Sequence, residues 1–231
     1  MDTQTCTELQ YKFLKMSRNL QSSFRIKFNK LVIYIDPLEI EEENHDADYI
    51  FITHEHHDHF DLESIKKIIK DETAIVTSDL VHKKLIQDKN LTHPNIVSLK
   101  PNNHLDLDKY ISLDTQPAYN LDKWKEPDVL FHPKENNGLG FILTLNFNEE
   151  KIKLYHMGDT DFLPEYQIIE GLDILLIPVG GTYVMTSKEA AKANNQIKPL
   201  VSVPMHYDVA AGTMKDAKYF IQNIENEGII L

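Results

Sequence analysis

The stretch from His54 to His59, HEHHDH, places four histidines and an aspartate in six consecutive positions. Imidazole and carboxylate are the groups that hold zinc and its neighbours in the absence of cysteine. Three other places could add to them: His156 and Asp159 in YHMGDTDF, His206 in SVPMHYD, and His132 in VLFHPKENNGLGF. Brought together, these side chains would make a centre for two metals with nitrogen and oxygen donors. A His-rich tract can equally be a solvated loop or a stretch that picks up stray metal, and the flanking elements decide between these readings.

Those elements favour a rigid site. ADYIFIT (47–53) is a short apolar run of the kind that forms a buried strand, and the histidines begin where it would end. After them, FDLESIKKIIK puts Leu62, Ile65, Ile68 and Ile69 at helical spacing, with Asp61 placed to cap a helix over 62–70. Side chains alternate along an extended segment, so His54 and His56 would point the same way and His57 elsewhere. Asp159, His206 and His132 fall in loops near strand ends, where a rigid scaffold presents its chemistry. His156 is expected to be packed rather than ligating. His45, His82, His93 and His104 have no comparable setting, and His82, beside Lys83 and Lys84, reads as part of a solvated helix face.

FRIKF (24–28) alternates as a half-buried strand, and LVIYIDP (31–37) reads as its hairpin partner across Asn29 and Lys30. AIVT (74–77), a helix opened by Ser78 or Asp79, and NIVSL (95–99) extend a β, α, β alternation. YISLDTQPAYN, LGFILTLNF and KIKLYHMGDT read as strands joined by loops. DILLIPV (173–179), a helix with a capping box from Thr186 to Glu189, the strand LVSVPMHY and the amphipathic TMKDAKYFIQNI complete the chain. Helices recur in both halves with sheet segments between them. This predicts an α/β fold of two sheets packed face to face, helices outside, in one domain spanning 1–231.

Composition narrows the function. With 24 basic and 36 acidic residues the net charge is −12, which repels phosphate backbones and disfavours nucleic acid as a partner. Cys6 is the single cysteine, so there is no disulfide framework and no thiolate cage. The start of the chain lacks the apolar core of a signal peptide, and no apolar run approaches the roughly 20 residues of a membrane helix. A reducing, cytoplasmic location is expected, with no membrane partner.

HEHHDH matches the H-x-H-x-D-H signature of the metallo-β-lactamase fold, and GDTD and PMHY follow in that family's order. The chain resembles this family over most of its length, from Ile35–Pro37 to His206. It looks closest to the lactonase-like and uncharacterised metal-dependent hydrolases of the fold, which share phrases such as YHMGDTDF and PVGGTYVMT. The resemblance implies a four-layer αββα sandwich of two mixed sheets. It also implies that His54 and His56 bind a first metal, that Asp58 and His59 bind a second, that Asp159 bridges them and that His206 completes the second site. Many members supply a third histidine to the first metal from the loop before the strand equivalent to LGFILTL. The motif PAYN has Asn120 where some relatives have that histidine. His132 is the candidate to replace it, unless it is a loop histidine contacting substrate or solvent.

Two divalent ions, zinc foremost with manganese or iron also compatible, would supply activated water near neutral pH and polarise a carbonyl or phosphoryl oxygen. Asp58 and Asp159 are then the acids tied most closely to catalysis. The expected function is hydrolysis of a small ester, lactone, amide or phosphoester, with Asn120, Lys134, Tyr183 and Tyr207 as candidate substrate contacts, and GGTYVMTS edging the pocket. The alternatives are a non-catalytic metal- or ligand-binding module and a phosphodiesterase or nuclease of the same fold, which hosts many chemistries. A homo-oligomer is a family-level expectation only.

Overall fold

The computed structural model describes residues 5–88, 91 and 93–231. Alternating apolar positions in the first third fold into an antiparallel meander of β1 (Leu9–Tyr11), β2 (Leu14–Arg18), β3 (Phe24–Phe28) and β4 (Leu31–Ile35). FRIKF buries Phe24, Ile26 and Phe28 on one face, and Asn29 takes the left-handed φ of 54° that the turn into β4 requires. The sheet then continues in parallel through β5 (Tyr49–Ile52), β6 (Ala74–Ser78) and β7 (Ile96–Leu99). Parallel neighbours need crossovers, and α1 (Leu62–Ile68) and α2 (Asp79–Gln87) are two of them.

The second half repeats this plan. β8 (His104–Asp106) and β9 (Ile111–Pro117) start another antiparallel meander, which is interrupted by a separate hairpin, β10 (Trp124–Glu126) and β11 (Val129–Leu130). It resumes with β12 (Leu139–Phe147) and β13 (Glu150–His156). Parallel strands β14 (Ile174–Pro178), β15 (Val201–Met205) and β16 (Glu227–Gly228) follow, with α3 (Ser187–Ile197) and α4 (Met214–Gln222) between them. The two sheets are seven-stranded, in the orders β1-β2-β3-β4-β5-β6-β7 and β16-β15-β14-β13-β12-β9-β8.

Packing makes four layers. Phe24, Ile26, Phe28 and Phe51 of the first sheet share a core with Phe141, Leu143 and Leu154 of the second, and the rings of Phe51 and Phe141 lie 5.4 Å apart. Ile65 and Ile68 of α1 and Val81 and Leu85 of α2 cover Ile50, Ile52 and Ile75 on the first sheet's outer face. Ala190, Ala193 and Ile197 of α3 and Ala217 and Phe220 of α4 serve the second sheet. Each fully buried Phe, Leu or Ile contributes about 1.5–3 kcal/mol relative to exposure, so the interlocked apolar faces dominate the fold's stability.

The caps are largely as read. Asp61 accepts from Glu63 N–H at α1, and Thr186 and Glu189 form a reciprocal capping box at α3. Helix α1 ends at Ile68 rather than 70, because Ile69 turns extended and the Thr73 hydroxyl takes the Lys70 N–H. The strands β1, β2, β8, β10, β11 and β16 were not legible, being short and without a long alternating pattern. No helix among the described residues is long and apolar enough to cross a membrane.

Candidate metal centre

Asp36 follows β4, His54–His59 follow β5, Asp159 follows β13, Gly180 follows β14 and His206 follows β15. The parallel strands of both sheets therefore deliver their carboxyl ends to one edge of the sandwich, the position at which open α/β sheets bind ligands. Asp36 and His206 are non-glycine residues in the left-handed region, with φ of 46° and 59°.

The donor atoms converge in two overlapping sets. In the first, His54 Nε2 lies 3.2 Å from His56 Nδ1, and His132 Nε2 lies 3.1 Å from the same nitrogen and 3.2 Å from Asp159 Oδ2. In the second, His206 Nε2 is 3.0 Å from Asp159 Oδ2, His59 Nε2 is 3.2 Å from Asp159 Oδ1, and each imidazole is 3.7 Å from Asp58 Oδ2. Asp159 faces both sets. Bonds of ~2.0–2.1 Å to a tetrahedral ion set neighbouring donors about 3.3–3.4 Å apart, so these spacings suit coordination. His59 Nε2 and Asp159 Oδ1 are buried without a hydrogen-bond partner despite their proximity, which is how atoms look when they face a shared cation. The residues present therefore fit a pair of divalent ions, held by His54, His56, His132 and Asp159 on one side and by Asp58, His59, His206 and Asp159 on the other.

The charge balance agrees. Burial drives the His54 imidazole well below its ordinary pKa, and charge on His59 adds to this; burial also lowers His56, with His132 adding. At His59 burial opposes the charged ring, but Asp159 and Asp36 outweigh it and hold the pKa well above the usual value. Burial likewise works against the Asp159 carboxylate, and His206 and His59 outweigh it, leaving its pKa well below normal. The His59 proton thus balances Asp159 while His54 and His56 stay neutral, the form in which imidazole binds metal. A cation entering this cluster would displace a proton.

The supporting residues reach the ligand atoms from behind. Asp36 is fully buried and accepts from His59 Nδ1 at 2.7 Å, from Thr53 N–H at 2.8 Å and from the Thr53 hydroxyl at 2.7 Å. This leaves His59 Nε2 to face the centre. Gln21, in the β2–β3 loop with φ of 52°, donates Nε2–H to Asp58 Oδ2 at 2.7 Å, and its carbonyl accepts from His206 N–H. Neither residue was singled out by the sequence reading. For Asp36 the signal is an acid immediately after an apolar strand; for Gln21 we find none.

Other expectations are placed as follows. His57 is exposed on the cleft rim. His156 is fully buried, its Nε2 at 3.0 Å from the Ser22 carbonyl and its Nδ1 accepting from Gly158 N–H, so it is packed. His104 pairs with Asp114 at 2.8 Å on the β8–β9 edge. Asn120 was expected to touch substrate; instead it is buried, its Oδ1 accepting from both the N–H and Nδ1 of His132 and its Nδ2 donating to the Tyr183 carbonyl. Tyr207 is also corrected. The chain's left-handed step at His206 carries its ring inward under the Arg18 guanidinium, 3.9 Å from the ring centroid, and its hydroxyl donates to the Leu231 carbonyl. Lys134 lines a neighbouring cleft instead, with its Nζ at Tyr119 and Glu165. Tyr183 does line the cleft over the centre, a space of about 260 Å³ bounded also by His56, Asp58, His132, Asp159 and His206.

Gly180 is needed for this geometry. A Cβ there would lie 2.4 Å from the His206 carbonyl oxygen, so only glycine lets the β14 loop approach the His206 loop this closely.

Two mixed sheets with outer helices and a histidine–aspartate centre at the sheets' shared edge define a metallohydrolase-type scaffold. The beta-lactamase superfamily domain matches residues 20–206, and the chain belongs to that family. A UPF0173 metal-dependent hydrolase of Methanosphaera stadtmanae is 28% identical, with 89% of each chain covered, and one of Carboxydothermus hydrogenoformans is 30% identical over 70% of this chain and 67% of its own. Among solved structures, Igni18, a metallo hydrolase from Ignicoccus hospitalis, is similar in fold at a TM-score of 0.74 and 22% identity, with 94% of each chain covered.

Proposed function

We propose that this chain is a metal-dependent hydrolase of a small molecule, acting on an ester, lactone, amide or phosphoester with two divalent ions, zinc foremost. The observation that carries the reading is the sharing of Asp159 between two donor sets on the floor of one cleft. The ions would supply activated water and Lewis-acid polarisation near neutral pH. What the chain itself does is hold and shape. Asp36, Asn120 and Gln21 fix His59, His132 and Asp58 in orientation. Gln21 engages Asp58 Oδ2, so we assign Oδ1 to carry the proton between water and leaving group. The cleft of about 260 Å³ lies just under the ~300–1,000 Å³ usual for ligand pockets, which suits a small substrate. The charge of −12 argues against polynucleotides, and the lone free Cys6 suits a reducing cytoplasm.

The test is turnover of an aryl acetate, a lactone and a bis-aryl phosphate by zinc-reconstituted protein. Hydrolysis of one of them, falling about 10²–10⁴-fold in Asp58→Asn, is expected. Binding of such compounds with no turnover would favour a non-catalytic module, and turnover untouched in both Asp58→Asn and Asp159→Asn would place the chemistry elsewhere.

A further inference from the structure

The cleft has a second wall that the metal centre does not use. Phe131 and Tyr183 stand edge to face across it, ring centroids 4.7 Å apart and planes at 85°, and Ala210 extends the apolar surface. Lys125 joins them from β10, at the point where the pairing with β11 shifts register between Trp124 and Glu126, and neither of those neighbours lines the cleft.

Lys125 is the lysine or arginine of this lining, and among the described residues its ammonium has no hydrogen bond or ion pair. Its neighbours are engaged. Lys123 is held by Asp122, Asp161 and Glu189, and Lys134 by Glu165. An unpaired cation beside an aromatic wall is notable in a chain of net charge −12, where acids outnumber bases by 36 to 24. The acids that line this cleft, Asp58 and Asp159, are committed to the centre.

We propose that the substrate is a small anionic molecule whose carboxylate meets Lys125 while its apolar or aryl body lies on Phe131 and Tyr183, which puts the scissile bond over the metal centre. This rests on the hydrolase reading and names the substrate class for it. Lys125 is a specificity-determining residue here, since a compact ammonium on a flexible stem suits a charge at the mouth of a cleft.

The test uses an isosteric pair on the reconstituted protein: 4-acetoxybenzoate, with a carboxylate, and 4-acetoxybenzamide, without one. Water adds to the acetyl carbonyl, the bond from that carbon to the phenolic oxygen breaks, and 4-hydroxybenzoate or 4-hydroxybenzamide leaves with a proton from the water, acetate being the other product. kcat and KM are measured for both esters, and calorimetric Kd for both phenol products, in the native protein, Lys125→Ala, Lys125→Arg and Lys125→Glu. The native protein should favour the carboxylate by about two- to fivefold, the range of an exposed ion pair, and mainly in KM and Kd. That preference should vanish in Lys125→Ala, return in Lys125→Arg, invert in Lys125→Glu and shrink with salt. Turnover with a carboxylate preference absent, or unchanged across the variants, overturns this inference and leaves the hydrolase reading standing. A Kd preference that tracks Lys125 without turnover supports the anionic site and counts against the hydrolase. No preference in either measurement overturns the proposal.

Discussion

Asn120 clasps His132 twice: its Oδ1 receives the backbone N–H and the ring Nδ1 of His132, each at 2.9 Å. The second bond places the ring proton on Nδ1 and turns Nε2 toward His56 and Asp159. Replacing the acceptor should therefore loosen one donor set only. Asn120→Leu is expected to weaken the first ion by about 10–100-fold, the usual cost of losing such a support, while Asn120→Asp keeps the acceptor and recovers part of it. Chelator competition reads the affinity, and nitrogen NMR of the imidazole reads the tautomer. An unaltered tautomer in Asn120→Leu would refute the assignment.

Asp36 serves His59 in the same way, but within the core. It accepts three hydrogen bonds and is fully buried, so Asp36→Ala leaves Thr53 and His59 donors unpaired. Breaking a buried pair of this kind costs about 3–5 kcal/mol. Urea unfolding of the metal-free variant should show that loss, and a shift under about 1 kcal/mol would mean that the triad contributes little.

A pH-dependent clamp lies far from the centre. Asp173, just before β14, accepts from Tyr11 at 2.9 Å, Lys12 at 3.0 Å and Lys153 N–H at 2.9 Å, tying the β1–β2 turn to the second sheet. Burial opposes its charge, but the Lys153 N–H, Lys12 and Tyr11 outweigh it and hold its pKa below the usual carboxylate value. With the folded pKa depressed, the stabilisation is complete above the unfolded value of about 3.9 and is lost as pH falls through the folded one. Asp173→Asn should cost about 1–3 kcal/mol between roughly pH 5 and 8, and the gap from the native protein should narrow progressively as pH falls below about 4. A gap that does not narrow at all on acidification would show that the carboxylate's charge is not what stabilises.

Gly180→Ala tests the close approach of two loops. The added methyl would sit 2.4 Å from the His206 carbonyl oxygen, so the His206 loop must move. Overpacking costs typically about 1–3 kcal/mol. Here the second ion should weaken as well, because His206 rides on that loop. Full metal content at native stability would show that the loops can separate freely.

The contiguous motifs were legible because one strand end carries each of them: HEHHDH after β5, GDTD after β13 and PMHY at the end of β15. The sandwich followed from alternating patterns long enough to read. The supports were not legible, since they act across the chain. Gln21 reaches Asp58 over 37 positions and His206 over 185. Tyr207 was misjudged for a local reason: adjacency to His206 suggests a shared face, but the left-handed backbone at His206 turns the next side chain into the core. Asn120 sits in the right loop for a ligand, yet it supports one instead.

Metal content per chain, measured after reconstitution of untagged protein, tests the central claim most directly. The account predicts close to two ions in the native protein, close to one in His132→Ala, and loss of both tight sites in Asp159→Ala, because Asp159 faces both donor sets. A native protein that retains no metal, or an Asp159→Ala variant that still holds two ions, would contradict it.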